Sequence, residues 1–345
     1  DLQTFSIRFD DPLYDESQYA RLVADRIGSD HTVFTLTYEE LYAHLEDVLS
    51  YIDEPFADAS ALNVFLLSKK TRQHVTVALS GDGADELLGG YSKHQAEARA
   101  RSGSALNSLL KVAAPTLRNL PAPRNTPWGR KLWQVKKYAR GLAQKPAERY
   151  WAWCSVLPPD EQVALLKAMP ERDTRQQWAA LYAAYARHGD MNGVLLADLK
   201  LVLPGDMLKK VDLMSMANSL EVRSPFLDYR VMEFVQSLPA RYKVTPQARK
   251  RLLQDAFRPH LPEELYNRPK QGFEVPVAGW FRGPMKSYLE KEVVNRELLE
   301  AQGLFDPTAV QALHQRVQSG QSGKEDWTLW ALVVFQHWYK RVFGV

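Results

Sequence analysis

The sequence has 345 residues, of which 45% are hydrophobic and 25% are charged, and its net charge at pH 7 is +3. The length allows one large domain or two ordinary ones, and the composition is that of a globular protein, which excludes fibrous and disordered classes. The near-neutral charge indicates no particular partner. The single cysteine, Cys154, excludes a disulfide framework and favours a cytoplasmic location, and the apolar run "WALVVF" is too short to cross a bilayer.

The first 95 residues alternate predicted strands and helices. This alternation predicts a parallel, doubly wound α/β sheet, in which ligands bind beyond the carboxyl ends of the strands. The first strand starts almost at residue 1 with no preceding cap or linker, so we expect the chain to be part of a longer protein. The predicted strands are 4–9, 31–37 and 75–80, and the predicted helices are 15–28, 38–53 and 60–74.

Strand signals largely vanish after residue 95, which predicts a mainly helical lobe over 96–345 beside an α/β lobe over 1–95. Residues 99–149 contain twelve Arg and Lys and one acid, Glu148. A basic segment of this kind is able to contact nucleic acid or an anionic membrane, but solvated helix faces around an insertion are the favoured interpretation. The segment lacks the alternating aromatic and basic residues typical of RNA binding.

The segment "VTVALSGDGADELLGGY", residues 75–91, follows a β-branched run with a glycine loop that carries acids. Backbone N–H groups at Ser80, Gly81 and Gly83 are able to approach an anion or a purine. Acids beside a phosphate make sense when Mg²⁺ lies between them, which suits Asp85 as a ligand and Asp82 as a group facing the reacting centre. The alternative is an ordinary strand–turn–helix with acids in the first helical turn.

A second polar group lies in an apolar segment, residues 203–230. Asp206 is predicted to be a helix N-cap, and its helical spacing to Lys209 and Lys210 leaves open a simple cap with a surface ion pair. The helix must end before Pro225. Three further charged residues interrupt the apolar pattern and are expected to pair or to bind something: Asp212, Glu221 and Arg223.

A third candidate, Lys270, lies in the Pro- and Gly-bracketed segment "LYNRPKQGFEVPVAGWF", residues 265–281. A lysine there is able to reach a phosphate as a mobile point charge. An exposed loop lysine without a role is the alternative.

Four stretches occur in the order "DEPFADASAL", "SGDGADELLGGY", "DMLKKVDLMSMANSLEVRSPFLD" and "NRPKQGFEVP". Together they resemble the synthetase domain of glutamine-dependent asparagine synthetases, and the likeness runs from Phe5 to the terminal Trp-rich helix. The resemblance implies a fold of the adenine nucleotide α-hydrolase type (an ATP-pyrophosphatase) with a helical C-terminal lobe.

The resemblance also implies a two-step reaction. ATP and a side-chain carboxylate give an acyl-adenylate and pyrophosphate, and ammonia then releases the amide and AMP. The full-length parent would make asparagine from aspartate, with ammonia from glutamine. The open alternatives are the same chemistry on a sugar acid, a peptide or a β-lactam precursor, and a non-catalytic domain that binds an anionic partner through 99–149. Neither a nucleic-acid nor a membrane partner is expected, and the sequence does not decide between a monomer and a homodimer.

Family roles carry over to particular positions. Ile7 and the Ser80–Gly81 pair would hold the adenosine, with Gly83 in the same nucleotide-binding loop, and Asp85 would bind Mg²⁺ and pyrophosphate.

The remaining roles concern the reacting groups. Asp82 occupies an acidic position, often Glu in the family, that is linked to forming the acyl-adenylate and handling ammonia. Asp206 would lie by the substrate amino acid, and Lys270 would stabilise charge on the phosphates.

Two family features have no match in this sequence. One is the pyrophosphate loop of the form SGGxDS, whose strand and helix are expected ahead of residue 1. The other is an N-terminal glutaminase domain with an N-terminal cysteine nucleophile, a role that Cys154 does not fit; it is expected to be a core or interface thiol. We therefore expect the chain alone to bind ATP poorly and to make little product.

Overall fold

The structure of the protein is a computed structural model. The described residues are 2–9, 15–118, 120, 127–157, 159–168, 174–185, 189–266, 275, 277–320 and 325–344.

The described strands form two small parallel sheets. In the first, β1 (Gln3–Phe9) pairs with β2 (Asp30–Leu36), and in the second, β3 (Val77–Leu79) pairs with β4 (Glu221–Arg223). Parallel pairing agrees with the prediction. The single doubly wound sheet that the sequence predicted is not seen among the described strands, because no ladder joins β1 to β3.

Helices of the first 95 residues follow the predicted order with one difference. The predicted helix over 38–53 is two helices, since His44 leaves the helical conformation with φ −102° and ψ 7°. The first helix ends at Gly28 in the left-handed region, as predicted from the sequence. These helices are α1 Ser17–Ile27, α2 Tyr38–Ala43, α3 Leu45–Tyr51, α4 Ala61–Thr71 and α5 Ala84–Leu88.

The rest of the described chain is almost entirely helical, as predicted, with β4 as its named strand. Its α-helices are α6 Ser92–Arg101, α7 Ala105–Arg118, α8 Pro127–Leu142, α9 Pro146–Cys154, α10 Pro159–Leu165, α11 Thr174–Tyr185, α12 Met191–Ala197, α13 Leu208–Met216, α14 Tyr229–Ser237, α15 Arg251–Phe257, α16 Val277–Arg282, α17 Lys286–Tyr288, α18 Arg296–Gln302, α19 Pro307–Gln318 and α20 Glu325–Phe343. Asp198–Met207 and Leu289–Val293 are π-helical, and Pro225–Leu227, Ala240–Tyr242 and Glu263–Leu265 are 3₁₀ turns.

The main hydrophobic core joins the start of the chain to its end. Leu36 of β2 and Leu62 of α4 are buried in one cluster with Phe281 of α16 and Trp330 of α20. Each fully buried side chain of this kind stabilises the fold by about 1.5–3 kcal/mol. The first sheet is therefore held by helices contributed some 250 residues later in the chain.

A smaller core supports the loop after β3. Leu87 and Leu88 of α5 are buried against Leu199 and Leu203 of the π-helical segment and Val235 of α14. This packing fixes α5 relative to the segment that carries Asp206.

Among the described helices, none has both the length and the apolar character needed to cross a membrane.

Candidate functional site

A cavity of about 960 Å³ lies between the two sheets. Residues 2–5 at the start of β1 line one side, and β3 with the loop that follows it, residues 77–83, lines another. Asp58 and Lys210 are among the other polar residues of the wall. The volume is at the upper end of the range of about 300–1,000 Å³ typical of small-molecule sites.

The loop after β3 is held by Ser80. The Ser80 N–H donates to the Arg223 carbonyl at 2.9 Å, which extends the parallel ladder into the loop. The Ser80 hydroxyl donates to Asp82 Oδ2 at 2.7 Å and lies 3.1 Å from the Ser224 hydroxyl. Asp82 is thus oriented by its own loop and lines the cavity.

Gly83 begins α5 in a conformation that suits glycine. Its φ is +82°, and a Cβ at this position would lie 2.2 Å from Leu227 Cδ2. Both the dihedral angle and the close packing require glycine. The turn places Asp85 and Glu86 in the first turn of α5, which is the arrangement that the alternative interpretation of this loop, an ordinary strand–turn–helix, had expected.

Asp85 forms an ion pair with Lys250, with a distance of 3.1 Å between Oδ1 and Nζ. Lys250 precedes α15 and has a φ of +48°, which is uncommon for a residue with a side chain. A Cβ on Gly90 would lie 1.7 Å from Asp85 Oδ1 and 2.3 Å from Lys250 Cε. Gly90 therefore leaves the space in which these two side chains meet.

Asp206 lies inside the π-helical segment Asp198–Met207, which runs from α12 into α13. The prediction that it caps a helix is wrong: the residue before α13 is Met207, and no side chain caps this helix. Pro204 within the segment lacks an N–H, which disfavours a regular α-helical ladder here. Single π-helical turns within α-helices are frequent at functional sites, and this segment is ten residues long.

Lys210 pairs with Asp58 rather than with Asp206. Its Nζ lies 2.6 Å from Asp58 Oδ2 and 2.9 Å from the Ser60 hydroxyl, and the lysine is 7% exposed. Burial raises the pKa of Asp58, but the Lys210 ammonium outweighs this effect and lowers it overall. Lys209 instead contacts Asp53 and Glu54, each at 3.1 Å.

The Asp206 carboxyl lies close enough to this pair to be affected by it. Burial, with a further contribution from Asp58, raises the pKa of Asp206 to about 6, while Lys210 opposes the shift. Asp206 Oδ1 is buried and has no hydrogen-bond partner among the described residues. The Lys210 ammonium therefore lowers the pKa of both carboxyl groups, and it forms its ion pair with Asp58.

A buried polar network connects α5 to the π-helical segment. The Tyr91 hydroxyl donates to Glu86 Oε1 at 2.7 Å, and the Tyr91 N–H donates to His94 Nδ1 at 3.3 Å. His94 Nε2 then donates to Asp198 Oδ2 at 2.8 Å. Burial lowers the pKa of His94, which fits a neutral ring with its proton on Nε2.

Asp198 is the centre of this network. It also accepts from Lys93 Nζ at 2.8 Å and from the Tyr150 hydroxyl at 2.9 Å. Burial acts to raise its pKa, but Lys93 and His94 hold the pKa at about 2. The same lysine contacts Cys154 Sγ at 3.4 Å, and the cysteine packs against the hydrophobic cluster that contains Tyr150 and Trp153.

Most of the predicted nucleotide-loop residues meet in the cavity. Ser80, Gly81, Asp82, Gly83 and Asp85 all line it.

Three predicted positions stand apart from that group. Asp206 is not among the described residues that line the cavity, although its neighbour Met207 is. Ile7 is 9% exposed in the main core, two residues beyond Phe5, which lines the cavity. Lys270 falls outside the described residues, so its role stays a prediction.

Several polar residues of this region were not predicted from the sequence. Asp58 occurs in "DEPFADASAL" with an acid and a serine just ahead of an apolar helix, which was a usable signal. Lys250 and Lys210 gave a weaker signal, because their partners are far away in the chain. Asp198 and His94 lie in ordinary helical sequence and gave none.

The described residues contain no group of three or more His, Cys, Asp or Glu side chains able to hold a metal ion. Mg²⁺ bound to a nucleotide needs only one or two protein carboxylates in addition to the phosphates. The donor set at the cavity, Asp85 with Asp82 nearby in the loop, fits that kind of site and not an all-protein metal cage.

Comparison with known proteins identifies the class to which this fold and cavity belong. The family model described as asparagine synthase matches residues 1–340, and the chain belongs to this family. A putative glutamine-hydrolysing asparagine synthetase of Mycobacterium bovis is 30% identical over 343 residues, covering 98% of this chain and 50% of that protein.

Two other relatives show the range of names in this group. Glutamine-hydrolysing asparagine synthetase 1 of Bacillus subtilis is 28% identical over 344 residues, 98% of this chain and 52% of the relative. A Gibberella zeae protein named amidase chry2 is 21% identical over 336 residues, 90% of this chain and 48% of the relative. The chain thus spans about half the length of the curated relatives that it matches.

Proposed function

We propose that this chain carries the ATP-dependent half of an amide-forming ligase, in which a carboxylate is activated as an acyl-adenylate and then attacked by ammonia. The observation that carries the proposal is the convergence of the Ser80–Asp85 loop with Asp58 and Lys210 around one cavity, in a chain of the asparagine synthase family. Aspartate is the proposed acceptor and asparagine the proposed product, with glutamine as the source of ammonia in the full-length protein.

In this proposal ATP binds against the loop that follows β3. The loop backbone at Ser80–Gly83 lies against the nucleotide, with Ile7 behind it. Asp85 is the residue that would hold Mg²⁺, which neutralises charge on the phosphates when bound. Lys250, which pairs with Asp85, would be one cation able to pair with phosphate oxygens, and Lys270 is the second proposed phosphate cation.

The proposed reaction consists of two successive displacements. A carboxylate oxygen of the acceptor attacks the α-phosphorus, and pyrophosphate leaves. Ammonia then attacks the acyl carbon, AMP leaves with the carboxylate oxygen, and one proton is lost from nitrogen. Asp82, oriented by the Ser80 hydroxyl, is the proposed proton acceptor at this centre. Asp206, whose Oδ1 lacks a partner among the described residues, is the proposed contact for the ammonium of an amino-acid acceptor.

We further propose that the two small sheets belong to one nucleotide-binding sheet of the adenine nucleotide α-hydrolase type. The cavity wall is formed by the start of β1 on one side and by β3 on the other, which supports this arrangement. The division into an α/β lobe over 1–95 and a helical lobe over 96–345 remains part of the same prediction.

The acceptor is tested by measuring pyrophosphate and AMP with the full-length protein, ATP, Mg²⁺ and ammonium, in the presence of different carboxylates. Stimulation by aspartate supports asparagine synthesis. Stimulation by a sugar acid or a peptide carboxylate instead supports the same chemistry on another acceptor, a possibility motivated by the relative named amidase. Release of ADP and orthophosphate, or no response to any carboxylate, contradicts the proposal.

A further inference from the structure

Ser224 follows β4, and its side chain contacts the loop that follows β3. Leu79 and Arg223 are partners in the parallel ladder of these strands, so Ser80 and Ser224 occupy the next position along each of them. Side chains at matching positions of neighbouring strands lie on the same face of a sheet. The two hydroxyl oxygens are 3.1 Å apart, and this contact is a consequence of the register of the second sheet.

The number of available protons determines which of the two hydroxyl groups donates. The Ser80 hydroxyl has one proton, and it donates this proton to Asp82 Oδ2 at 2.7 Å. Ser224 is therefore the donor in the bond between the two serines, and Ser80 accepts. A chain of two hydrogen bonds thus runs from Ser224 through Ser80 to the Asp82 carboxylate. Successive hydrogen bonds of this kind polarise and strengthen one another.

The Ser224 side chain is not used by the turn that it precedes. Ser224 lies just before the 3₁₀ turn Pro225–Leu227, at a position where a serine oxygen commonly accepts a backbone N–H. Here the side chain makes no capping bond, and the backbone closes the turn, with the Leu227 N–H donating to the Ser224 carbonyl at 2.9 Å. The local structure of the turn therefore does not account for the hydroxyl group.

The same turn supports the loop at a second point. Leu227 packs so closely against Gly83 that a Cβ at Gly83 would lie 2.2 Å from Leu227 Cδ2. The segment 224–227 therefore contacts the loop at Ser80 and at Gly83, and Asp82 lies between these two contacts in the chain. The orientation of Asp82 thus depends on residues that follow it by more than 140 positions.

We propose that Ser224 is a positioning residue for the reaction: by donating to Ser80, it keeps the Ser80 proton directed at Asp82 and fixes the orientation of the Asp82 carboxylate in the cavity wall. This inference rests on the proposed function, in which Asp82 accepts the proton that ammonia loses. Ser80 and Asp82 line the cavity, whereas Ser224 is not among the described residues that do. Its effect on the reaction is therefore indirect.

Two reactions of the full-length protein separate this role from a general loss of structure. Exchange of labelled pyrophosphate into ATP with aspartate, or with the carboxylate that the screen of acceptors identifies, reports adenylation alone. Amide formation from ammonium reports both steps. Ser224→Ala is expected to lower the kcat of amide formation about fivefold or more, because proton transfer depends on alignment. Pyrophosphate exchange and the KM for ATP should stay within about twofold of the unchanged protein.

Two further variants serve as controls. Ser224→Thr keeps the hydroxyl group and is expected to retain amide formation. Ser319→Ala is the matched control, because the Ser319 hydroxyl at the end of α19 donates to the Arg316 carbonyl at 2.9 Å and does not line the cavity. An equal loss of both reactions in Ser224→Ala, or no loss of amide formation, overturns the proposal. So does a loss in Ser224→Thr as large as that in Ser224→Ala.

A double-mutant cycle tests the contact without any substrate. The equilibrium constant of unfolding in urea is measured for Ser80→Ala, for Ser224→Ala and for the double variant. Because the two hydroxyl groups are bonded, the effects are expected to depart from additivity by about twofold or more. Additive effects overturn the proposal. Absence of pyrophosphate exchange in the unchanged full-length protein contradicts the proposed function instead, and the cycle then decides whether Ser224 is coupled to the loop.

Discussion

Lys210 Nζ and Asp58 Oδ2 lie 2.6 Å apart at the wall of the cavity, although the two residues are 152 positions apart in the chain. The pair joins the segment ahead of α4 to the first turn of α13. The two groups also affect the pKa of Asp206, which Asp58 raises and Lys210 lowers. The geometry of the candidate site therefore depends on an ion pair that the folded chain alone brings together.

Replacing Lys210 with Met is expected to destabilise the protein by about 1–3 kcal/mol, because the half-buried carboxylate of Asp58 would lose the ammonium group with which it pairs. Lys209→Met is the matched control. Lys209 contacts the exposed carboxylates of Asp53 and Glu54, so its loss should cost under about 1 kcal/mol. Urea unfolding at neutral pH measures both free energies. Equal stability of the two variants would show that the Asp58–Lys210 pair has no structural importance.

Asp206 is expected to make stability fall as pH rises. Burial, together with Asp58, raises its pKa from 3.8 to about 6, so the native state retains a proton that the unfolded state has released. The free-energy cost of ionising Asp206 in the folded protein is absent below pH 3.8. It grows between pH 3.8 and about 6 and is complete above about 6. Asp206→Asn removes it, so the variant should be more stable above that range by about 3 kcal/mol.

The measurement for Asp206 is the free energy of unfolding of both proteins across this pH range. Taking the difference between the proteins isolates Asp206 from other titrating groups. A difference that is constant with pH contradicts the assignment of a raised pKa to Asp206.

Gly81→Ala separates ligand binding from folding. A Cβ at Gly81 has no atom within 4 Å, so stability should change by less than about 0.5 kcal/mol. The added methyl group would occupy the space where the nucleotide approaches the loop, and affinity should fall about tenfold or more. Calorimetric titration of the full-length protein with a non-hydrolysable ATP analogue and Mg²⁺ measures this.

Gly279→Ala is the control for that experiment. Gly279 lies in α16, where an added methyl group would also have no atom within 4 Å, but it does not line the cavity. Its nucleotide affinity should be unchanged. If Gly81→Ala binds the analogue as well as Gly279→Ala does, the loop is not the nucleotide site.

Asp198→Asn is expected to cost about 3–5 kcal/mol at neutral pH, because Lys93 would lose its buried counter-ion. Tyr150→Phe removes one hydrogen bond to the same carboxylate and should cost about 1 kcal/mol.

The pH dependence of the Asp198 effect has the opposite sign to that of Asp206. Lys93 and His94 overcome burial and hold the pKa of Asp198 at about 2, so its stabilising contribution is present above pH 3.8 and is lost as pH falls toward 2. Unfolding curves of both proteins under acidic conditions test this. If the unchanged protein and Asp198→Asn have equal free energies of unfolding already at neutral pH, the lowered pKa of Asp198 is contradicted.

The local parts of the fold followed from the sequence. The strand before Ser80, the glycine at position 83 and the acids of the first turn of α5 were predictable because each depends on neighbours within a few residues. The end of α1 at Gly28 was predictable for the same reason.

The parts that depend on distant partners were not predictable. Helical spacing suggested that Asp206 pairs with Lys209 or Lys210, but these lysines bind acids from the segment 53–58. The N-cap prediction for Asp206 failed because the preceding residues continue the helix in π-helical form instead of ending it. Lys250 reaches Asp85 from 165 positions away, a distance over which local pattern carries no information.

The chain of residues 1–345 by itself is expected to release little AMP or pyrophosphate with aspartate, ammonium and Mg²⁺. Robust turnover by this chain alone would show that the SGGxDS loop expected from the family resemblance is not required. The comparison with the full-length protein under the same conditions serves as the control.

The most direct test of the adenylation chemistry follows one oxygen atom. Aspartate labelled with ¹⁸O in its carboxylates is incubated with the full-length protein, ATP, Mg²⁺ and ammonium, and the products are analysed by mass spectrometry. Adenylation predicts one ¹⁸O in AMP and none in pyrophosphate, because the carboxylate oxygen that attacks the α-phosphorus leaves with it. Label in orthophosphate, accompanied by ADP, would contradict the account.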